Sequence, residues 1–192
     1  EGKNFSNKSI RLEHSIRAIL DQQQKNGFAF KVRDASILLA KLEEEERELE
    51  ERTQEIFPPI ELKLKTKTKY IPFNISSRKQ IAERLKEKGW NPTLLTEKGN
   101  IIVNEKTLNT CELPEAKMFS RFFLLQKRTG LLKAWLKACD SDDRVRGRVL
   151  TLKTITGRMA HHSPNMAQVP AVYSPYGKEC RDLWTINNTE TH

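Results

Sequence analysis

Cysteines are few in this sequence, and none lies close to another. The 192 residues contain three of them, Cys111, Cys139 and Cys180. A zinc knuckle or a redox pair needs two cysteines only a few residues apart, so this spacing excludes both kinds of site. Three widely spaced cysteines are typical of reduced thiols in a protein of the cytoplasm, which is the location that we expect.

Long apolar runs are also missing. No stretch approaches the roughly 20 apolar residues of a membrane-spanning helix, so we expect no membrane among the partners. The first residues, Glu1 to Ser6, lack the apolar core of a secretion signal. There is no initiator Met and a helix is predicted almost at once, so we expect the chain to begin partway through a longer protein.

Acidic residues are in the minority. The chain has 34 lysines and arginines against 25 aspartates and glutamates, which gives a net charge of +9 with neutral histidines. A basic balance favours a polyanionic partner, and nucleic acid is the commonest one. A basic protein that is merely soluble stays open as an alternative, because charge alone does not separate the two.

Apolar residues at helical spacing predict four long helices. Their predicted ranges are 9–26, 34–56, 78–89 and 114–139. Gly27 is placed to end the first helix, and Asp34 to cap the start of the second. Ser76 or Ser77 is the expected N-cap of the third helix, and Pro114 suits the first turn of the fourth.

Alternation with period two predicts a strand over residues 61–70, with leucines and threonines on one face and four lysines on the other. Two interpretations of the lysine face stay open: an edge strand protected against aggregation, or a row of cations spaced to meet phosphates. Residues 145–155 are predicted to form a strand or hairpin with a basic side. Residues 91–109 are predicted to be a loop with short extended pieces. The expected fold class is therefore α+β.

The acidic clusters and the histidine pair are expected to bind neither DNA nor metal. The run from Glu43 to Glu55 is predicted to be a solvated helix face that turns away from DNA, because like charge repels phosphate. The aspartates of 140–143 are predicted to form a solvated turn rather than a Mg²⁺ site. His161 and His162 are adjacent, so their side chains point apart, and we expect no metal there.

The most specific stretch is Thr154-Ile-Thr-Gly-Arg-Met-Ala-His-His-Ser-Pro-Asn-Met-Ala-Gln-Val-Pro170. It resembles the T-x-T-G-R…P-N-L-x-x-I-P segment that opens the palm of family A (DNA polymerase I-like) DNA polymerases. The version Pro164 to Pro170, followed by Tyr173-Ser-Pro-Tyr-Gly-Lys-Glu-Cys-Arg181, resembles the form found in the short-tailed-phage branch. About sixteen positions match in register, which is far more specific than a single short motif.

The resemblance extends upstream and covers roughly residues 12–184. Leu20 to Phe30 is similar to the segment that links an exonuclease domain to the thumb, and Phe73 to Gln80 to the start of a thumb helix. Thr96 to Ile101 is similar to the thumb loop that follows. Leu125 to Thr129 resembles the long helix that joins thumb to palm.

This resemblance implies a fold and a domain organisation. A mainly helical thumb with long helices is expected over 1–139, with the linker helix from a preceding exonuclease region at 1–32. The N-terminal part of the palm, with its first strands, is expected over 140–192. The implied protein is a template-directed DNA polymerase, a nucleotidyltransferase of viral DNA replication. A phage-encoded chain would work in the cytoplasm of the host cell.

The matched palm residues imply contacts near the primer end. In the family, the arginine of T-G-R lies in the minor groove there, and Arg158 matches it, with Thr156 in the same motif. One guanidinium can test the geometry of a base pair without reading its sequence, because the minor groove has acceptors at similar places on every pair. Asn165 and Gln168 lie in the segment that tracks primer and template. Turn capping is the alternative role of Asn165.

The matched thumb residues imply contacts with the duplex backbone. Lys127 and Arg128 are expected to meet phosphates from the long helix, with a solvated face as the alternative. Arg78 and Lys79 are expected to reach the backbone from a helix start, where cations oppose the helix dipole. A bound phosphate would resolve that conflict.

The implied partners are primer-template DNA and a C-terminal polymerase segment with the rest of the palm and the fingers, in the same chain or in a separate one. The family binds Mg²⁺ through aspartates, the first of them in a D-x-S-x-x-E-L-R motif that the 192 residues do not contain. The ligands of Mg²⁺ are therefore expected outside this chain, and the chain alone is expected to be inactive. The alternative is a stand-alone, sequence-nonspecific DNA-binding module derived from a polymerase.

Overall fold

A computed structural model describes residues 6–63 and 68–185 of the chain. Helices dominate and the strands form small antiparallel sheets, which confirms the predicted α+β class. The helices are α1 (Asn7–Asn26), α2 (Val32–Ile56), α3 (Arg78–Glu87), α4 (Glu105–Asn109), α5 (Pro114–Ala138) and α6 (Gly177–Asp182). The strands are β1 (Phe28–Phe30), β2 (Ile60–Lys63), β3 (Thr68–Ile71), β4 (Arg144–Val145), β5 (Arg148–Leu150), β6 (Ala160–His162) and β7 (Trp184–Thr185).

The chain folds as two compact units. The first, which we call the terminal unit, combines residues 1–39 with 131–192, and the second, the central unit, spans 40–130. Both boundaries fall inside long helices, α2 and α5. The division into a thumb over 1–139 and a palm over 140–192 stays a prediction.

In the terminal unit, β1 is the middle strand of a three-stranded sheet with the order β4-β1-β7. Phe28 lies opposite Val145, and Phe30 lies opposite Trp184, in antiparallel register. The Phe30 ring packs 4.8 Å from that of Trp184 and 6.2 Å from that of Trp135 on α5. Phe30 and Trp135 are almost fully buried, so this aromatic cluster is the core of the unit.

In the central unit, three phenylalanines form the middle of the core. The ring of Phe57 lies 4.9 Å from that of Phe73 and 5.7 Å from that of Phe119, and each ring is buried. Apolar positions of α3, such as Ile81 and Leu85, complete this core. Helical spacing places Ile81 and Leu85 on one face of α3.

The predicted helix starts and stops are largely confirmed. Gly27 ends α1 with a φ of +63° and donates its N–H to the carbonyl of Gln23. Ser77 caps α3 through Gln80 N–H. The N-cap prediction for Asp34 is wrong, because β1 ends at Phe30 and α2 already begins at Val32. Asp34 lies instead in the first turn of the helix, where a carboxylate still suits the dipole.

The single strand predicted over 61–70 is wrong. The strands β2 and β3 pair with each other, with Glu61 opposite Tyr70 and Leu62 opposite Lys69. Side chains alternate with period two in each of two paired strands, as they do in one continuous strand. The period alone therefore does not distinguish a hairpin from a single strand. Residues 64–67, at the middle of the predicted lysine row, lie outside the described residues.

Two further elements differ from their predictions. Residues 145–155 form neither one strand nor a hairpin among themselves: β5 ends at Leu150 and pairs with β6 at Ala160–His162, beyond the predicted range. The predicted loop at 91–109 contains α4, which Asn104 and Thr107 open with reciprocal hydrogen bonds between side chain and backbone. This capping box was not predicted, because its third residue is Thr instead of the usual Glu or Gln. None of the helices that the structure describes has the length and apolar character that a bilayer crossing needs.

Candidate nucleic-acid interface

The Thr154–Arg158 motif lies at the end of a β-hairpin. β5 and β6 pair antiparallel, with Arg148 opposite His162 and Leu150 opposite Ala160. Residues 151–159, which we call the turn segment, connect the two strands. Gly147, just before β5, has no room for a side chain, since an added Cβ would lie 2.5 Å from the Cγ of Met166. The base of the hairpin is therefore held against the residues that follow β6.

The turn segment is closed by its own hydrogen bonds. The Thr154 hydroxyl donates to the carbonyl of Arg158 at 2.9 Å and lies 3.1 Å from the Thr156 hydroxyl. Gly157 donates its N–H to the carbonyl of Thr154 at 3.0 Å, with a φ of +76° that favours glycine. The side chain of Arg158 is exposed. The threonines thus shape the turn, and the arginine is the group left for a ligand.

The segment after β6 forms a short 3-10 helix, Met166–Gln168. The side-chain oxygen of Asn165 accepts the N–H of Ala167 at 3.0 Å, which is the capping role considered as an alternative. The amide N–H₂ of Asn165 is a donor that this cap does not use. Gln168 is exposed at the end of the helix. Arg181 donates to the carbonyl of Pro170 at 2.8 Å, so it has a structural role in holding this segment.

In the central unit, Arg78 and Lys79 are exposed in the first turn of α3. The Arg78 guanidinium lies 5.6 Å from the ring centroid of Phe123, which offsets part of the unfavourable interaction with the helix dipole. Lys127 on α5 is 66% exposed and donates to Glu105 at 2.8 Å. An exposed pair of this kind contributes little, so Lys127 stays available to an anion. Arg128 is half-buried.

The predicted site residues therefore form two groups. Thr156, Arg158, Asn165 and Gln168 lie on the turn segment and on the short helix of the terminal unit. The helices of the central unit carry the other group, Arg78, Lys79, Lys127 and Arg128. Their contacts with DNA stay predictions.

Two arginines of the basic hairpin serve the fold. Arg144 donates to the carbonyls of Asn26 and Gly27, at 2.5 and 3.2 Å, and Arg146 donates to the carbonyl of Lys25 at 3.1 Å. The last carbonyls of a helix have no partner inside the helix, so these guanidiniums satisfy the end of α1. Sequence periodicity does not reveal this role, because the contacts join residues more than 100 positions apart.

The aspartates of the 140–143 turn do not offer a Mg²⁺ site. Arg146 holds Asp140 at 2.7 Å and Asp142 at 2.5 Å. Its hydrogen bond lowers the pKa of Asp142 to about 2. Over residues 6–63 and 68–185, no group of three or more His, Cys, Asp or Glu side chains is arranged to hold a metal.

The two histidines of β6 have separate surroundings. The Nδ1 of His162 lies 2.6 Å from the Ser163 hydroxyl. The Nδ1 of His161 is buried and makes no hydrogen bond to another described residue. Neighbouring side chains on a strand point to opposite faces, so the two imidazoles lie on opposite sides of β6.

Comparison with known proteins finds a family model and curated relatives. The family model "DNA polymerase family A" matches residues 39–192. The DNA-directed DNA polymerases of Enterobacteria phage T3 and Escherichia phage T7 are each 37% identical over 126 residues, or 60% of this chain. The chain spans only 18% of the length of either relative.

The solved structures that resemble the chain include one that matches nearly all of it. It is the POL domain of Pol1 from M. smegmatis, in complex with a DNA primer-template and dNTP. The TM-score is 0.74, with 18% sequence identity, and the match covers 92% of this chain and 30% of that one. At this identity the likeness shows the fold alone.

The hydrogen bond from Arg146 predicts an acid-shifted titration of Asp142. A carboxyl whose pKa is lowered on folding contributes stability above its unfolded value of 3.8, and loses it as the pH falls toward about 2. In carboxyl ¹³C NMR, Asp142 should therefore be mostly ionised at pH 3, and Arg146→Gln should move its midpoint toward 3.8. Glu44, whose pKa is lowered by Arg47, is the control that should not move. A wild-type midpoint near 3.8 contradicts the ion pair.

Proposed function

Because the chain belongs to DNA polymerase family A, we propose that it supplies the duplex-gripping thumb and the entry to the palm of a template-directed DNA polymerase that replicates phage DNA. The observation that carries this proposal is the Thr154–Arg158 turn. Its backbone is closed by hydrogen bonds of Thr154 and Gly157, and it leaves the guanidinium of Arg158 exposed.

Arg158 tests the primer end in this proposal. A guanidinium in the minor groove meets acceptors at similar positions on all correctly paired bases, so it binds without preference for sequence. A turn that is ordered before binding limits the conformational cost of placing the side chain. Asn165 and Gln168 add amide donors from the next segment, and the Asn165 cap fixes the direction of its free N–H₂ group.

The central unit contributes phosphate contacts. Arg78 and Lys79 project from the N-terminal turn of α3, where backbone N–H groups also favour an anion. Lys127 and Arg128 add charge from α5. The acidic half of α2 points elsewhere in this proposal, because its charges would repel phosphate and several are already paired along the helix, as in Arg47 with Glu44 and Glu51.

The phosphoryl-transfer chemistry lies outside these residues in our proposal. The chain has no D-x-S-x-x-E-L-R motif, and the described residues offer no carboxylate cluster for two metal ions. Mg²⁺ would be held by a polymerase segment that carries the rest of the palm and the fingers, on the same chain or a separate one. The alternative function, a stand-alone DNA-binding module, has the same contacts and no such partner.

Replacing Arg158 tests the duplex contact. Arg158→Ala should weaken binding to a short primer-template duplex, and the slope of log K against log salt should fall by about one, because one cation fewer displaces counterions. Fluorescence anisotropy at several salt concentrations measures both quantities. Arg52→Ala is the matched control, because Arg52 is exposed on the acidic half of α2 and its loss changes the net charge equally. If both substitutions weaken duplex binding equally, Arg158 contributes only nonspecific charge, which would contradict the proposed minor-groove contact.

Primer extension separates the two functions. The chain is mixed with the segment of a phage relative that carries the D-x-S-x-x-E-L-R motif, and extension of a labelled primer is followed with Mg²⁺ and nucleotides. We expect no extension by the chain alone and extension by the mixture. If the chain binds DNA, but the two polypeptides do not associate and the primer is not extended, the stand-alone module is the better description.

A further inference from the structure

The turn segment exposes an unusual amount of apolar surface. Ile155 at its tip is exposed to 103% of the reference area, and Leu152 and Met159 to 49% and 45%. A single exposed apolar side chain needs no explanation, but three within eight residues form a patch. Such a patch is costly in water unless a ligand covers it.

The backbone holds these side chains outward. Ile155 lies between Thr154 and Thr156, whose hydroxyls are 3.1 Å apart. Leu152 has a φ of +51°, a left-handed conformation that branched side chains rarely adopt. A strained residue and an internally bonded turn persist only where the surrounding structure fixes them. Ile155 is therefore presented by an ordered turn.

Positive charge surrounds the patch. Lys153 and Arg158 are exposed on the same segment, and residues 151–159 contain no acidic residue. An apolar centre between cations does not suit the purely ionic binding of a phosphate, to which an isoleucine adds nothing. It suits a surface that combines apolar walls with nearby phosphates, and the minor groove of a duplex, lined by the carbons of the sugars, has that combination.

We propose that Ile155 is an apolar contact for the minor groove, packing on the sugar carbons while Arg158 reaches the base edges and Lys153 a phosphate. This inference rests on the proposed function and extends it, because it adds a contact that is independent of salt. Leu152 and Met159 flank Ile155 and widen the apolar surface. The ligand is a nucleic-acid duplex, since single strands have no groove walls.

Ile155→Ala tests this contact. Loss of three carbons from a partly buried contact should weaken binding to a short DNA duplex roughly fivefold. The salt slope should stay at the wild-type value, unlike that of Arg158→Ala, and affinity for a single strand of the same length should not change. Ile37→Ala is the matched control, because Ile37 is 61% exposed on α2, outside the turn segment.

The outcomes separate the two proposals. If the wild-type chain binds no duplex, the proposed function and this inference both fail. If the wild type binds duplex and Ile155→Ala binds as tightly as Ile37→Ala, only this inference is overturned. Thermal unfolding and sedimentation of Ile155→Ala should match the wild type, because the side chain is fully exposed. If the variant melts at a lower temperature, or if the wild type self-associates and the variant does not, protein rather than DNA covers Ile155. Either result would also overturn the inference.

Discussion

The pairing of β1 on both of its edges is the constraint on which the terminal unit depends. The strand has three residues, yet it joins Val145 on one side to Trp184 on the other, and Ala29 and Phe30 are almost fully buried within it. Contacts over so long a sequence separation carry a large entropic cost of loop closure, and burial of the Phe30, Trp135 and Trp184 rings offsets it. The β5–β6 hairpin continues directly from β4, so this sheet fixes the base from which the turn segment projects.

Some basic side chains of this protein stabilise the fold and others are exposed to a polyanion, and the net charge counts both kinds together. Arg144 and Arg146 satisfy the carbonyls at the end of α1, and Arg121 pairs with Glu45 at 2.7 Å. These cations stabilise the fold and count toward the basic balance of the sequence. Lys153 and Arg158 of the turn segment, and Arg78 and Lys79 in the first turn of α3, are exposed and can meet a polyanion. The net charge of +9 therefore overstates the charge left for a polyanion, because some of these cations are engaged within the fold.

Local signals in the sequence predicted the local structure. Gly27 ends α1 and Ser77 caps α3, as predicted, because both signals depend only on neighbouring residues. The β4-β1-β7 sheet was not predicted, because its strands of two and three residues have no period to detect and form only by pairing across the chain. The single strand predicted over 61–70 is wrong for a related reason, since alternation is the same in two paired strands as in one continuous strand.

The candidate site was predictable to a similar degree. The motif located Arg158 and Asn165, and the cap by Asn165 had been considered as an alternative to DNA contact. The exposure of Ile155 was not predicted, because an isoleucine between two threonines is equally typical of a buried strand. That side chain points outward because hydrogen bonds close the turn segment.

We propose that the turn segment and the short helix after β6 meet a DNA duplex. Hydrogen exchange of backbone amides, with and without a primer-template duplex, tests it most directly. The account predicts slowed exchange over residues 151–168 and at the start of α3, with no change over the acidic residues 43–55 of α2. Slowed exchange confined to α2, or unchanged exchange in the turn segment of a chain that is bound to duplex, would contradict it.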